Sequence, residues 1–149
     1  MTKLTATQLN AWRLFLTLHR RIVDAIDHDL QTTDHLPLSS YDVLIELQGA
    51  PEHRLRMADL ANRVVLSRSG LTRLVDRLEG EGLLIRDRVG GDRRGAYAVM
   101  TEAGHAALQA AWPYYARGIA TYFASGLSEE EMTVMAGLLQ KITAHMTIV

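Results

Sequence analysis

The 149-residue chain contains no cysteine. That absence excludes disulfides, thiolate metal sites, a cysteine nucleophile and thiol redox switching. Apolar runs long enough to cross a bilayer are also missing, and the N-terminal MTKLTATQLN lacks the basic-then-apolar form of a signal peptide. The expected compartment is therefore the cytoplasm, without a membrane partner. No glycine loop is suited to cradling phosphate, because Gly90-Gly91 leads into a strand pattern and not a helix. Among six histidines none forms an i, i+4 pair of zinc-clamp spacing, and His28, Asp29 and His35 lack an evident further ligand. No metal or other cofactor is expected. Ser39, Ser40 and Tyr41 beside Asp42 read as a helix cap rather than a nucleophile with its base, so no catalytic residues are assigned and no enzyme is expected.

What is present is ordinary globular composition with an uneven charge distribution. Apolar residues make up 48% and charged residues 22% of the chain, enough for a packed core. The net charge of −1 conceals a separation: Arg54 to Arg94 holds ten arginines against six acids, whereas the remainder holds six basic residues against eleven acids. A basic lobe on an acidic scaffold is what a nucleic-acid-binding protein would show, and also what a module docking an acidic protein partner would show.

Periodicity predicts a mainly α protein. Thr5 and Gln8 have capping-box spacing ahead of one long helix reaching about Gln31, with Leu9, Trp12, Leu16, Val23, Ile26 and Leu30 on its apolar stripe. Leu14, Phe15, Leu18 and Ile22 widen that surface beyond what one neighbour could cover, which predicts a second subunit. After Pro37, Ser39 or Ser40 is the expected N-cap of a helix near Tyr41 to Gln48, stopped by Gly49-Ala50-Pro51. Met57, Leu60, Ala61 and Val64 mark a further helix, and a helix from Ser67 follows so closely that the two form a helix-turn-helix pair. Gly80 and Gly82 offer it a left-handed ending, and strands from Leu83 to Arg88 and near Ala96 to Met100 make a hairpin. Thr101 caps a helix towards Phe123, with a kink or a division into two helices expected at Trp112-Pro113. Ser128 and Glu131 form a capping box before the last helix, whose stripe is Met132, Met135, Leu139, Ile142 and Met146.

On a helical wheel Leu71, Leu74, Val75 and Leu78 point one way, while Ser69, Thr72, Arg73 and Asp76 point the other, with Arg68 and Arg77 on the flanks. Short hydroxyls and arginines suit close approach to base edges and phosphates in a major groove. The hairpin tip GGDRRG puts Arg93 and Arg94 at the end of a thin arm, and a narrow minor groove attracts inserted arginine.

The segments LSRSGLTRLVDRLEGEGLL and DRRGAYAVMTEAG, within the order of elements just given, resemble the MarR family of winged helix-turn-helix transcriptional regulators. The resemblance implies a homodimer whose terminal helices (1–36 and 102–149) interlock around winged lobes (37–101), reading a pseudopalindromic double-stranded operator and acting as a repressor. It carries recognition-helix contacts onto Ser67, Arg68, Ser69, Thr72 and Arg73, and the wing arginine onto Arg94, with Arg93 a phosphate contact or its neighbour. Asp92 matches the acid that structures the wing tip. Relatives respond to small aromatic or phenolic ligands, for which Trp12, His19, Arg20, Tyr41 and Trp112 are the candidate lining. A metal-dependent regulator remains the further alternative.

Overall fold

A computed structural model of the chain describes residues 3–64, 68–88 and 96–146, with Arg68 and Arg88 described at the backbone only. The described elements are α1 (Ala6–Thr32), α2 (Leu38–Gln48), a short 3-10 turn (Pro51–His53), β1 (Arg54–Arg56), α3 (Met57–Arg63), α4 (Arg68–Gly80), β2 (Leu84–Arg88), β3 (Ala96–Met100), α5 (Glu102–Ile119), a π-helical turn (Ala120–Ala124) and α6 (Glu129–Met146). They make two compact units, one of residues 1–25 with 116–149 and one of residues 26–115.

In the second unit the core is aliphatic. Val43, Leu44, Leu47, Leu60, Val75, Leu78 and Leu84 are fully enclosed, and Ile26 and Leu30 from the last turns of α1 and Leu108 and Ala111 from α5 are buried with them. The small sheet is three-stranded and antiparallel in the order β1-β3-β2, with Leu55 opposite Ala98 and Arg86 opposite Ala98 on the other side. The hairpin expected from the sequence thus gains a third strand. Residues 54–56 alternate half-buried, buried and exposed, and only the pairing with β3 supplies hydrogen bonds that so short a strand cannot provide for itself. β1 is reached through the turn at Pro51–His53, in which Glu52 and His53 both take left-handed backbone angles (φ 55 and 53) and the amide of Arg54 bonds the carbonyl of Pro51.

Helix ends follow sequence chemistry with one correction. The capping boxes at Thr5 and Gln8 and at Ser128 and Glu131 both form reciprocally, the first at 2.9 and 3.2 Å and the second at 2.8 and 3.2 Å. α4 ends in a Schellman motif in which Leu83 N–H bonds the carbonyl of Leu78, Gly82 N–H bonds that of Glu79, and Gly82 takes φ +75; Gly80 stays helical. α2, however, is not capped by Ser39 or Ser40. It starts at Leu38 with Pro37 at the cap position, and the carboxylate of Asp27 on α1 accepts the Leu38 amide at 2.7 Å. A proline cap has no side-chain acceptor, so the cap comes from eleven residues upstream, and Ser39 and Ser40 lie inside the first turn.

α5 continues through Pro113 without the expected division. The proline leaves the carbonyl of Gln109 without its i+4 amide, but both residues are exposed and water can take that bond. The departure from α geometry comes instead at the π turn, closed by Ser125 N–H on the carbonyl of Ala120 at 2.9 Å. In the unit formed by the chain ends, α6 buries no residue within the single chain, and Leu14, Leu18, Val134, Leu138 and Ile142 are all exposed.

Candidate nucleic-acid interface

α3 ends at Arg63 and α4 starts at Arg68, so the two helices are close in sequence; both pack on α2, α3 also on β1 and α4 also on β2. The inner side of α4 is formed by Leu71, Leu74, Val75 and Leu78, all buried. Its opposite side presents Ser69, Thr72, Arg73, Asp76 and Arg77, all exposed. Arg73 takes part in none of the ion pairs among the described residues. It lines a shallow cleft of about 240 Å³ with Ser39, Gly70, Leu74 and Arg77. Ser67, Asp92, Arg93 and Arg94 lie outside the described residues, as does the side chain of Arg68.

Several arginines that composition alone could not assign hold this lobe together. Arg77 donates at 3.0 Å to the hydroxyl of Ser40, which is only 1% exposed, and so ties α4 to the first turn of α2 while satisfying a buried polar group. Arg63 reaches Glu46 at 3.5 Å and ties α3 to α2. On the sheet, Arg54 lies 4.2 Å above the ring of Tyr97 and pairs with Asp87 at 3.2 Å, while Arg56 donates to the Tyr97 hydroxyl at 3.0 Å. Arg86 on β2 bonds Asp76 and Glu79 of α4 at 2.5 and 2.6 Å. The Arg-Leu-Arg alternation at residues 54–56 is the sequence trace of the first group; the second leaves only acids at 76 and 79 on one helical side.

The corner that joins β3 to α5 explains the segment MTEAG. Thr101 donates its hydroxyl to the carbonyl of Gly82 at 2.6 Å and accepts the amide of Gly104 at 3.1 Å, while its own amide bonds the carbonyl of Leu83. A side chain on Gly104 would put its Cβ 2.1 Å from that Leu83 oxygen. Close backbone approach, not a turn, is what demands glycine there.

The expected ligand-lining residues fall into two groups. Tyr41 and Trp112 line one cleft of about 370 Å³ together with Ile45, Gln48, Leu108 and Gln109. Burial raises the hydroxyl pKa values of Tyr41 and Tyr115, whose rings stand 4.5 Å apart, and the carboxylate of Asp42 adds to both shifts. Asp42 is itself raised by burial and by the neighbouring Glu46. Trp12, His19 and Arg20 belong to the other unit: Trp12 and His19 flank Phe15 on α1 at centroid distances of 6.1 and 6.3 Å, and Arg20 is exposed. His19 also lines an apolar cavity of about 250 Å³ with Phe15, Leu18, Phe123, Met135 and Leu139. Among the described residues no group of three or more His, Cys, Asp or Glu is placed to hold a metal ion, and no helix is long and apolar enough to cross a membrane.

Comparison with known proteins agrees with this architecture. Residues 36–95 match the MarR family model. The chain is 33% identical over 142 residues to the HTH-type transcriptional regulator YkoM of Bacillus subtilis, spanning 92% of this chain and 86% of that one. AbsC, a MarR family regulator from Streptomyces coelicolor, superposes with a TM-score of 0.84 over the full length of both chains at 30% identity. Sco3205 from the same organism, solved in complex with DNA, superposes with a TM-score of 0.84 at 27% identity, covering 96% of this chain and 89% of that one. With this helix pair, three-stranded wing sheet and full-length similarity, the chain belongs to the MarR family of DNA-binding transcriptional regulators, which are not enzymes.

Proposed function

We propose that the protein is a homodimeric, ligand-responsive repressor in which α4 of each subunit enters a major groove and the wing tip an adjacent minor groove. The observation that carries this is the exposed face of α4, where Ser69, Thr72 and Arg73 stand together on a helix whose other side is locked into the core. Ser67, Arg68, Arg93 and Arg94 complete the proposed DNA contacts, with Asp92 setting the wing tip. The exposed apolar faces of α1 and α6 favour association of two copies, since a monomer leaving Leu14, Leu18, Val134, Leu138 and Ile142 in water would be prone to associate. Two-fold symmetry then calls for half-sites about 10–10.5 bp apart.

The cleft of Tyr41 and Trp112 suits a small aromatic or phenolic effector, with ring faces and apolar walls for the ring and the amides of Gln48 and Gln109 for a hydroxyl. Trp12, His19 and Arg20 are proposed as further effector contacts. A ligand that prefers a lobe spacing mismatched to successive grooves lowers operator affinity by its differential affinity for the two states. The test is fluorescence anisotropy on a duplex from upstream of the protein's own gene against an unrelated duplex of equal length, over a salt series. A preference of about a thousandfold that weakens with salt supports operator reading. Equal, weak binding to both, followed by an in vitro selection that enriches no sequence, overturns it in favour of a basic lobe that docks an acidic protein.

A further inference from the structure

One guanidinium spans the junction between α4 and the sheet. Arg86 sits on β2 with its side chain only 17% exposed, and donates through one nitrogen to Glu79 at 2.6 Å and through the other to Asp76 at 2.5 Å. The latter nitrogen also reaches the carbonyl of Thr72 at 3.5 Å, and the backbone amide of Arg86 bonds the second oxygen of Glu79 at 3.0 Å. Residues 72, 76 and 79 are spaced i, i+4 and i+7, so Arg86 grips α4 along two turns of one side. That side borders the exposed face of Ser69, Thr72 and Arg73. Burial works against the charge of Arg86, but its hydrogen bonds to the two carboxylates outweigh this and raise its pKa. The guanidinium meets the two carboxylates through two different nitrogens of one rigid plane, a spacing that the single nitrogen of an ammonium does not offer.

We propose that Arg86 is a positioning residue for base readout: it fixes the angle and rotation of α4 against the wing sheet, so that the helix and the wing meet successive grooves as one rigid body. This rests on the assignment of α4 as the reading helix. The carboxyl groups of Asp76 and Glu79, which would otherwise face DNA as acids of no evident use, are the anchor points of that clamp. Because the guanidinium of Arg86, carried on β2, is turned onto α4, it sets specificity without making a phosphate contact.

The experiment uses full-length protein and a duplex obtained by in vitro selection with the wild type, and compares Arg86→Met, Arg86→Lys, Asp76→Asn and Arg73→Ala. Thermal melting gives the folded fraction of each, and Asp76 is exposed enough that Asp76→Asn opens half of the clamp without touching the core. The expected result is that Arg86→Met lowers the ratio of selected to unrelated affinity by about tenfold or more, the discrimination carried by one base reader. Arg86→Lys and Asp76→Asn should lower the ratio in the same direction. The slope of log affinity against log salt should stay at the wild-type value in Arg86→Met. An unchanged ratio, an equal loss on both duplexes, or a slope reduced by about one, as for a lost phosphate contact, would overturn the proposal. Arg73→Ala separates the two levels. If it too leaves the ratio unchanged, α4 is not the reading helix and both assignments fall; if it lowers the ratio while the Arg86 variants do not, only the clamp falls.

Discussion

Gly104 shows how one missing side chain can decide a junction. Its Cβ would meet the Leu83 carbonyl at 2.1 Å, and that oxygen already accepts the Thr101 amide, so neither backbone can yield freely. Gly104→Ala should cost about 3 kcal/mol, at the upper end for overpacking, read as a lowered urea midpoint. At the end of α1 the logic reverses. Asp34 occupies the left-handed position (φ 58) of a Schellman ending, with His35 N–H bonding the carbonyl of Leu30. Asp34→Gly should therefore stabilise by roughly 0.5–1 kcal/mol in the same assay, and Asp34→Ala should not. Asp42 supplies a pH dependence. Its folded-state pKa is raised by burial and by Glu46, so the folded chain holds this proton at pH values where the unfolded chain has released it, and stability falls as pH rises through the window above the ordinary aspartate value. Asp42→Asn should flatten the profile in that window, with only a small rise in melting temperature at neutral pH because the residue is exposed and solvent screens its charge.

Among the elements, α2 depends most on a distant residue. Its cap comes from Asp27, which also accepts a hydrogen bond from Gln31 at 2.6 Å, and its first turn is pinned from the other side by Arg77 on Ser40. Asp27→Ala should cost about 1 kcal/mol, measurable by denaturant titration, whereas Ser39→Ala should cost much less because that hydroxyl caps nothing. The amphipathic helices and both capping boxes were legible in the sequence, since the partners lie three or four residues apart. β1 was not, because three residues carry too little pattern and its hydrogen bonds come from β3, more than forty residues away. Of the kink or division expected at Pro113, the division does not occur: the helix runs on because the carbonyl that the proline leaves without an amide is exposed to water, and exposure is decided by packing.

For the molecule as a whole, the exposed apolar side of α6 sets the testable expectation. Leu138→Glu, at a residue 58% exposed within one chain, leaves the core of residues 26–115 untouched. It should turn a dimer into a monomer in sedimentation analysis and abolish tight operator binding, with melting of the winged lobe unchanged; a wild-type monomer in that measurement would exclude the dimer.

The sequence by itself determined the class of the protein, the long terminal helices, the helix-turn-helix pair and the chemistry of the face it presents, because periodicity and composition are local properties that any window of residues carries. It also settled, through the missing cysteines, that no thiol chemistry is at work. Only the tertiary structure decided which arginines of the basic lobe are fasteners and which stand outward. Arg54, Arg56, Arg77 and Arg86 are engaged with partners on other strands and helices, while Arg73 is exposed in the cleft of α4. The charge of an arginine is written in the sequence, but its partner is chosen by geometry between segments up to 43 residues apart, as for Arg54 and Tyr97, and no spacing rule reaches that far.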